Sequence, residues 1–222
     1  MQTSTNKNDF VLSYLNLRIG LGFVGLFLPI VLITGAFSFN DCTQLQPSIS
    51  HYYYTIMGNY FVGSLCAVAL FLFFYNGYDK RDNIVANIAA VCALGVAFFP
   101  TDSDANSICT FVIYNRTNSV NVVHYIFAGL LFSSFAYFSL ILFTKTDPTK
   151  IMCANKKIRN SIYKTCGIII IICILLIAIN NLFNNIEQSL AKYKPTLILE
   201  SIALFAFGIS WIAKGEMFLK DK

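Results

Sequence analysis

Six long apolar stretches alternate with short polar connections along the chain. They cover residues 19–39, 56–75, 84–99, 122–143, 166–183 and 197–213. An apolar run of about 18 or more residues is long enough to cross the hydrocarbon core of a bilayer. Within lipid such a run is helical, because a single segment satisfies its own backbone hydrogen bonds only as a helix. The pattern therefore predicts an all-α polytopic membrane protein, a single domain over residues 1–222 with six transmembrane helices.

The composition strengthens this prediction. Hydrophobic residues make up 56% of the chain and charged residues only 12%, which is too little charge to cover the surface of a soluble domain. The six stretches use almost the whole length, so no separate soluble domain is expected. The first stretch is too long for the apolar region of a cleavable signal peptide, and we expect it to stay as a signal anchor.

The distribution of Lys and Arg predicts the orientation. The first loop, residues 40–55, has neither, whereas the fourth connection is rich in them: Lys145, Lys150, Lys156, Lys157, Arg159 and Lys164. Lys192 and Lys194 in the fifth loop point the other way, but the fourth connection outweighs them. Since basic loops stay in the cytoplasm, both termini are predicted to be cytoplasmic, in a bacterial inner membrane. The net charge of +5 is then a topology signal with membrane lipids as partners, and no nucleic acid is expected.

Two of the seven cysteines fall in predicted outer loops. These are Cys42 in the first loop and Cys109 in the third, where oxidising conditions allow a disulfide. We hypothesise a Cys42–Cys109 bridge between the two loops, and the alternative is a pair of free thiols.

Small and aromatic residues suggest how the helices are arranged. Ala89, Ala93 and Ala97 recur every four residues in the third stretch, and small residues at that spacing let membrane helices approach closely. This places the third helix in the middle of the bundle. The tyrosines at 52–54 and Trp211 are predicted to lie in the two interfacial aromatic belts.

Polar side chains gather in the predicted outer third of the membrane. Under the predicted topology this set contains Ser50, His51, Asn59, Asp102, His124, Asn181 and Glu200. Ionisable groups inside a span are costly, and by default they indicate function. The sequence thus predicts an outward-facing polar pocket, with Glu200 in the sixth helix as its most informative member.

Three interpretations of this pocket remain open. The first is a structural network of hydrogen bonds between helices. The second is a metal site, zinc for example, with His51, His124 and Glu200 as ligands, Asp102 orienting a water and Ser50 bonding the substrate. The third is a carrier in which Glu200 and His124 exchange protons with a solute. No H-x-x-H or H-E-x-x-H motif supports the metal site.

Three further side chains are candidates for substrate binding. Asn59 begins the second helix, Tyr53 precedes it, and Asn181 lies near the outer end of the fifth. Like the rest of the polar set, these side chains come to the predicted outer third of the membrane. We therefore expect Asn59, Tyr53 and Asn181 to face the same pocket.

Several short blocks resemble a family of uncharacterised six-span bacterial membrane proteins. The blocks are PSISHYYYT at 47–55, FVG at 61–63, AFFPTD at 97–102, ESIA at 200–203 and WIAKG at 211–215. This resemblance covers most of residues 20–216 and implies six spans, but it brings no activity.

More remotely, Ser50, Asp102 and His124 on a helical bundle resemble the alkaline ceramidase/adiponectin-receptor hydrolase superfamily. That resemblance implies a zinc-dependent lipid hydrolase. The chain departs from the superfamily in having two histidines, no H-x-x-x-H pair, and Glu200 where a histidine is wanted. The resulting prediction is a membrane protein that binds or hydrolyses a lipid or amphiphile from the outer leaflet with metal assistance. The alternatives are a small-solute or proton-coupled carrier and a non-catalytic membrane scaffold.

Overall fold

Long helices dominate the structure. A computed structural model describes residues 3–39, 42–102, 118–146, 152–183 and 189–220, and the regular structure within these ranges is helical. Six long helices lie in these ranges, named α1 to α6: Thr3–Phe39, Gly58–Phe73, Lys80–Phe98, Asn118–Tyr137, Ala154–Leu182 and Pro195–Lys214. A π-helical turn, Phe138–Leu142, continues α4, and 3₁₀ turns cover Ser50–Tyr54 and Ala191–Tyr193. The predicted all-α class is confirmed.

Five of these six helices are long and apolar enough to cross a bilayer, which identifies a helical membrane protein. The exception is α2, whose 16 residues span about 24 Å against a hydrocarbon core of about 30 Å. Six spans therefore stay a prediction. The helices also extend past the apolar stretches: α1 begins at Thr3 and α5 at Ala154, well before the predicted starts. Polar residues continue a helix wherever it projects from lipid, so hydropathy alone sets these boundaries too late.

The helices form a closed ring in chain order. Each packs against the next, from α1 through α6, and α6 packs in turn against α1. The predicted small-residue face of α3 is buried throughout: Ala86, Ala89, Ala90, Ala93 and Ala97. Close packing of α3 on both neighbours follows from these alanines. The predicted place of α3 in the middle of the bundle is wrong, because α3 packs on α2 and α4 as one member of the ring.

The contact between α1 and α6 is a backbone-to-backbone approach. A Cβ placed on Gly22 would lie 2.7 Å from the Gly208 carbonyl oxygen, and one placed on Gly208 would lie 2.6 Å from the Gly22 oxygen. No real Cβ tolerates such distances, so only glycine fits at either position. These two glycines bring the first and last helices into direct contact.

Both predictions of an interfacial aromatic belt are wrong. Tyr52 and Tyr54 are 1% and 3% exposed, because the first loop folds into the bundle and the Tyr54 hydroxyl donates to the Thr101 carbonyl. Trp211 has 0% exposure and packs edge-on against Phe143 and Tyr75 at ring-centroid distances of 4.9 and 5.3 Å. In each case a large ring gains more from packing against other side chains than from lying at a membrane surface.

Candidate functional site

A cavity lies between the helices at the end of the bundle where α6 begins. Its volume of about 50 Å³ is room for a few water molecules, well below the roughly 300–1,000 Å³ of small-molecule sites. Most of the wall is apolar, with Leu28, Phe61, Leu65, Val68, Phe135 and Phe207 among its side chains. Three polar residues also line it: Ser50, Ser64 and Glu200. An apolar chamber with a few polar groups suits an amphiphile better than a hydrophilic solute.

Ser50 and His124 form a hydrogen-bonded pair at this cavity. His124 Nε2 lies 3.0 Å from Ser50 Oγ, and His124 Nδ1 lies 2.7 Å from the Phe99 carbonyl oxygen. A carbonyl only accepts, so Nδ1 carries the hydrogen, and the Nε2 of the neutral ring is left with its lone pair. The Ser50 hydroxyl therefore donates to Nε2. This is the arrangement of a nucleophile, a base and a group that orients the base.

Local structure explains why these three groups meet. Pro100 disfavours a helical conformation at Phe99, and α3 ends at Phe98 with Phe99 at φ −112° and ψ 75°. The last carbonyls of a helix have no partner within it, so that of Phe99 is available to His124 on α4. Ser50 begins the 3₁₀ turn of the first loop, which holds its side chain against the same ring.

Glu200 fastens the first loop to α6. Its Oε2 accepts a hydrogen bond of 2.7 Å from the backbone N–H of Ile49, the neighbour of Ser50. A second bond, 3.1 Å long, runs from the N–H of Leu197 in the first turn of α6 to the Pro47 carbonyl. The early N–H groups of a helix lack partners within it, so the loop supplies one. Glu200 therefore positions the backbone next to Ser50.

The second histidine belongs to a separate pair. His51 Nδ1 lies 2.6 Å from Ser48 Oγ, three residues earlier in the same loop. The sequence placed Ser50 beside His51, but the structure pairs Ser50 with His124 and His51 with Ser48. Each serine thus meets a different histidine.

Asp102 is close to the pair in the chain but is not bonded to it. Its Oδ2 accepts a 2.7 Å bond from Asn121 Nδ2, one helical turn before His124 on α4. The imidazole is oriented by the Phe99 carbonyl rather than by this carboxylate. The predicted role of Asp102 in orienting a water stays a prediction.

The predicted metal ligands do not form a metal site. Within the described ranges, no three His, Cys, Asp or Glu side chains are grouped so that they could hold an ion. Both ring nitrogens of His124 already bond protein groups, His51 bonds Ser48, and Glu200 bonds Ile49. The expected set of His51, His124 and Glu200 thus takes part in three separate hydrogen-bonded contacts in the described structure.

The predicted substrate-binding residues do not line the cavity. Asn59 and Asn181 are exposed, and half-buried Tyr53 packs edge-on against Tyr54 at 5.0 Å. Asn59 and Asn181 lie near helix ends, as expected, but none of the three side chains lines the chamber. The sequence does not show how each helix is rotated, so this could not be predicted.

Sequence reasoning missed three contributors. Ser64 lines the cavity from α2, Asn121 bonds Asp102, and the Phe99 carbonyl orients His124. The sequence does not show where a backbone carbonyl points. The only signal for the Phe99 carbonyl is Pro100, which ends α3 and so leaves this carbonyl without a helical partner. Asn121 had a readable signal, since it lies three residues before His124 and so on the same face of α4.

Cys42 is disulfide-bonded, and the free thiols of the described residues are Cys66, Cys92, Cys153, Cys166 and Cys173. Cys109 lies outside the described residues. The Cys42–Cys109 pairing stays a prediction, now with one of its two members known to be oxidised.

Comparison with known proteins found no matching family model, no matching curated protein and no matching solved structure. The resemblances noted from short sequence blocks stay predictions. The chemistry of the site therefore has to be argued from its geometry.

Proposed function

We propose that this is a serine-dependent acyl hydrolase of the membrane, which binds the acyl chain of an amphiphile against the apolar wall beside Ser50 and cleaves its ester or amide bond. The observation that supports the proposal most is the 3.0 Å contact between Ser50 Oγ and a histidine nitrogen whose proton state is set by the Phe99 carbonyl. The apolar wall beside Ser50 supplies the surface for the chain, and its side chains must move apart to admit more than the first few carbons.

The topology in this proposal has six spans, with both termini in the cytoplasm of a bacterial cell. The basic connection between α4 and α5 supports that orientation under the positive-inside rule. It puts the beginning of α6, and with it Ser50 and Glu200, toward the outer leaflet. The short α2 follows the first loop, which enters the bundle at the same level. An amphiphile would then arrive from the outer leaflet.

The proposed reaction proceeds in two steps. Ser50 Oγ attacks the carbonyl carbon while its proton passes to His124 Nε2, and the tetrahedral adduct forms. The adduct then expels the alcohol or amine, which takes the proton back from Nε2, and leaves an acyl group on Ser50. Water, deprotonated by the same nitrogen, releases the carboxylic acid and restores the serine. During both steps the Phe99 carbonyl stabilises the imidazolium through Nδ1–H.

Activity-based labelling tests the proposal directly. The purified protein in detergent should react with a long-chain fluorophosphonate, and Ser50→Ala should abolish the adduct. His124→Asn should slow labelling about 10²- to 10⁴-fold, the usual contribution of a general base. Ser48→Ala is the matched control, because Ser48 also bonds a histidine but does not line the cavity.

The outcome that would refute hydrolysis is equal labelling of Ser50→Ala and the unmodified protein, or no labelling of either. Mass spectrometry of the labelled peptide identifies the modified residue. Release of fatty acid from a fluorogenic acyl ester, measured on the same variants, then separates turnover from a single modification.

A non-catalytic amphiphile-binding protein is the second candidate, and the apolar wall of the cavity favours it independently of Ser50. In that case a fluorescent fatty acid binds and is displaced by an unlabelled one, with the same affinity in Ser50→Ala. Phe135→Trp, which adds bulk to the cavity wall, should weaken such binding under either candidate.

A further inference from the structure

The end of the bundle opposite to the cavity buries the side chain of a lysine. Lys214, the last residue of α6, is 5% exposed. Its Nζ lies 4.9 Å from the ring centroid of Tyr78 and 5.3 Å from that of Phe143. Cation–π contacts of this kind contribute about 0.5–2 kcal/mol each, whereas the effective cost of burying a charge is several kcal/mol. The two rings alone do not compensate for burying this group.

Other cations add to this cost. Arg18 of α1 and Lys156 and Arg159 of α5 are near enough for their charges to act on Lys214, and Asp82 is the acid that offsets them. In the described part of the chain, no carboxylate forms an ion pair with Lys214 or Arg18. Four cations from three helices therefore act on one another here, and among the described residues Lys214 and Arg18 have no carboxylate as an ion-pair partner.

Three acids of the described ranges lie near this cluster, and each is already paired with another cation. Asp79 and Asp82 both bond Lys145, and Glu216 bonds Arg159 at 3.1 Å. Asp82 also accepts a bond from the Tyr78 backbone N–H, so its second oxygen is occupied as well. None of these carboxylates forms an ion pair with Lys214.

Two further donors at this end lack acceptors. Arg18 Nε and Trp211 Nε1 are buried and make no hydrogen bond in the described structure. The Arg18 guanidinium lies 4.3 Å from the Tyr14 ring and 5.6 Å from that of Tyr75, and Tyr75 packs on Trp211 at 5.3 Å. A buried donor without an acceptor costs about 1–3 kcal/mol. Arg18 Nε and Trp211 Nε1 are both donors, so what each of them lacks is an acceptor.

We propose that this cluster of Lys214, Arg18, Lys156 and Trp211 binds a phosphate-bearing anion between the ends of α1, α5 and α6. An anion supplies the acceptors that Lys214, Arg18 and Trp211 lack, and it cancels the repulsion among the cations. Phosphate offers several oxygens, and it suits a guanidinium combined with ammonium groups. Lys156, whose Nζ donates to the Phe143 carbonyl at 3.0 Å, lies beside the ring that covers Lys214.

The phosphate has two potential sources, free phosphate from water and the headgroup of an anionic lipid. Under the proposed orientation this end faces the cytoplasmic leaflet, whose anionic lipids attract basic segments. The same side chains would bind either source. The site is independent of Ser50, and Ser50→Ala should leave it unchanged.

Thermal unfolding with two probes tests the site. The first arm titrates inorganic phosphate into protein in neutral detergent, against sodium chloride at matched ionic strength. The second compares nanodiscs of phosphatidylcholine with nanodiscs that also contain phosphatidylglycerol. A ligand that binds the folded state raises Tm with its concentration. Lys214→Met should reduce the affinity at least about tenfold, the effect of losing one charge-assisted bond.

Lys157→Met is the matched control, because it removes an exposed positive charge one residue from Lys156. If phosphate stabilises the unmodified protein and Lys157→Met but not Lys214→Met, free phosphate is the ligand. If phosphatidylglycerol nanodiscs give this pattern and inorganic phosphate does not, the lipid headgroup is the ligand. Should neither probe raise Tm, or should both stabilise Lys214→Met as strongly as the unmodified protein, the proposal is wrong. If Lys214→Met does not fold, Arg18→Gln takes its place with the same expected loss.

Discussion

Alanine at position 22 should force α1 and α6 apart. The new Cβ would lie 2.7 Å from the Gly208 carbonyl oxygen and 2.9 Å from the Ile212 nitrogen. Ordinary contact begins at 3.4 Å, so the helices must separate by roughly 0.7 Å. Both contacts are with backbone atoms of α6, which no side-chain rotation can move. Overpacking of this kind costs about 1–3 kcal/mol.

A matched control lies two residues away on the same helix. A Cβ added to Gly20 would have no heavy atom within 4 Å, so the methyl group of Gly20→Ala meets open space. Alanine is favoured over glycine in a helix by about 0.5–1 kcal/mol. Both variants receive this gain, and the difference between their unfolding free energies isolates the packing cost. We expect Gly20→Ala to be as stable as the unmodified protein or more so, and Gly22→Ala to be less stable.

The assay is reversible unfolding in mixed micelles, followed by tryptophan fluorescence. The signal is specific because Trp211, the only tryptophan, is fully buried on α6. Equal unfolding free energies for Gly20→Ala and Gly22→Ala would refute the close approach of the two backbones.

Three further predictions concern other contacts. Tyr54→Phe should lower the unfolding free energy by about 1–3 kcal/mol in the same assay, because it leaves the Thr101 carbonyl buried without its donor. Lys145 lowers the pKa of the Asp79 carboxyl below its ordinary 3.8, so this pair stabilises the fold fully above that pH and is lost as pH falls through the lowered pKa. Lys145→Met should therefore flatten the acid side of a plot of Tm against pH. Cys42→Ser should abolish the mobility difference between reduced and non-reduced protein on a gel, and an unchanged difference would show that the disulfide lies elsewhere.

Helices were predictable from the sequence because lipid leaves few alternatives. Apolar length decides that a segment is helical, and the alanine spacing of α3 decides that it packs closely. The ends were less predictable, since polar residues such as those after Thr3 extend a helix beyond its apolar part. The buried positions of Tyr52 and Trp211 were missed for a related reason, because an aromatic residue near a span end has the same sequence signal in a belt and in a core.

The candidate site was predictable in location but not in its bonds. Ser50, His124 and Glu200 were expected together, and all three lie at one end of the bundle. Which histidine meets which serine depends on how the first loop folds against α4, and no periodicity encodes that. The decisive orienting group is the backbone carbonyl of Phe99, whose availability follows from Pro100 and whose direction follows only from packing.

The pairing of α1 with α6 also matters for synthesis of the protein. A ribosome adds about 5–20 residues per second, so α1 enters the bilayer roughly ten to forty seconds before the segment that bears Gly208 is made. During that interval its glycine face has no native neighbour except lipid. An insertase or a chaperone that shields small-residue faces would act at this stage. A ribosome that stalls before α6 would leave an open arc of helices, which the quality-control proteases of the membrane could recognise.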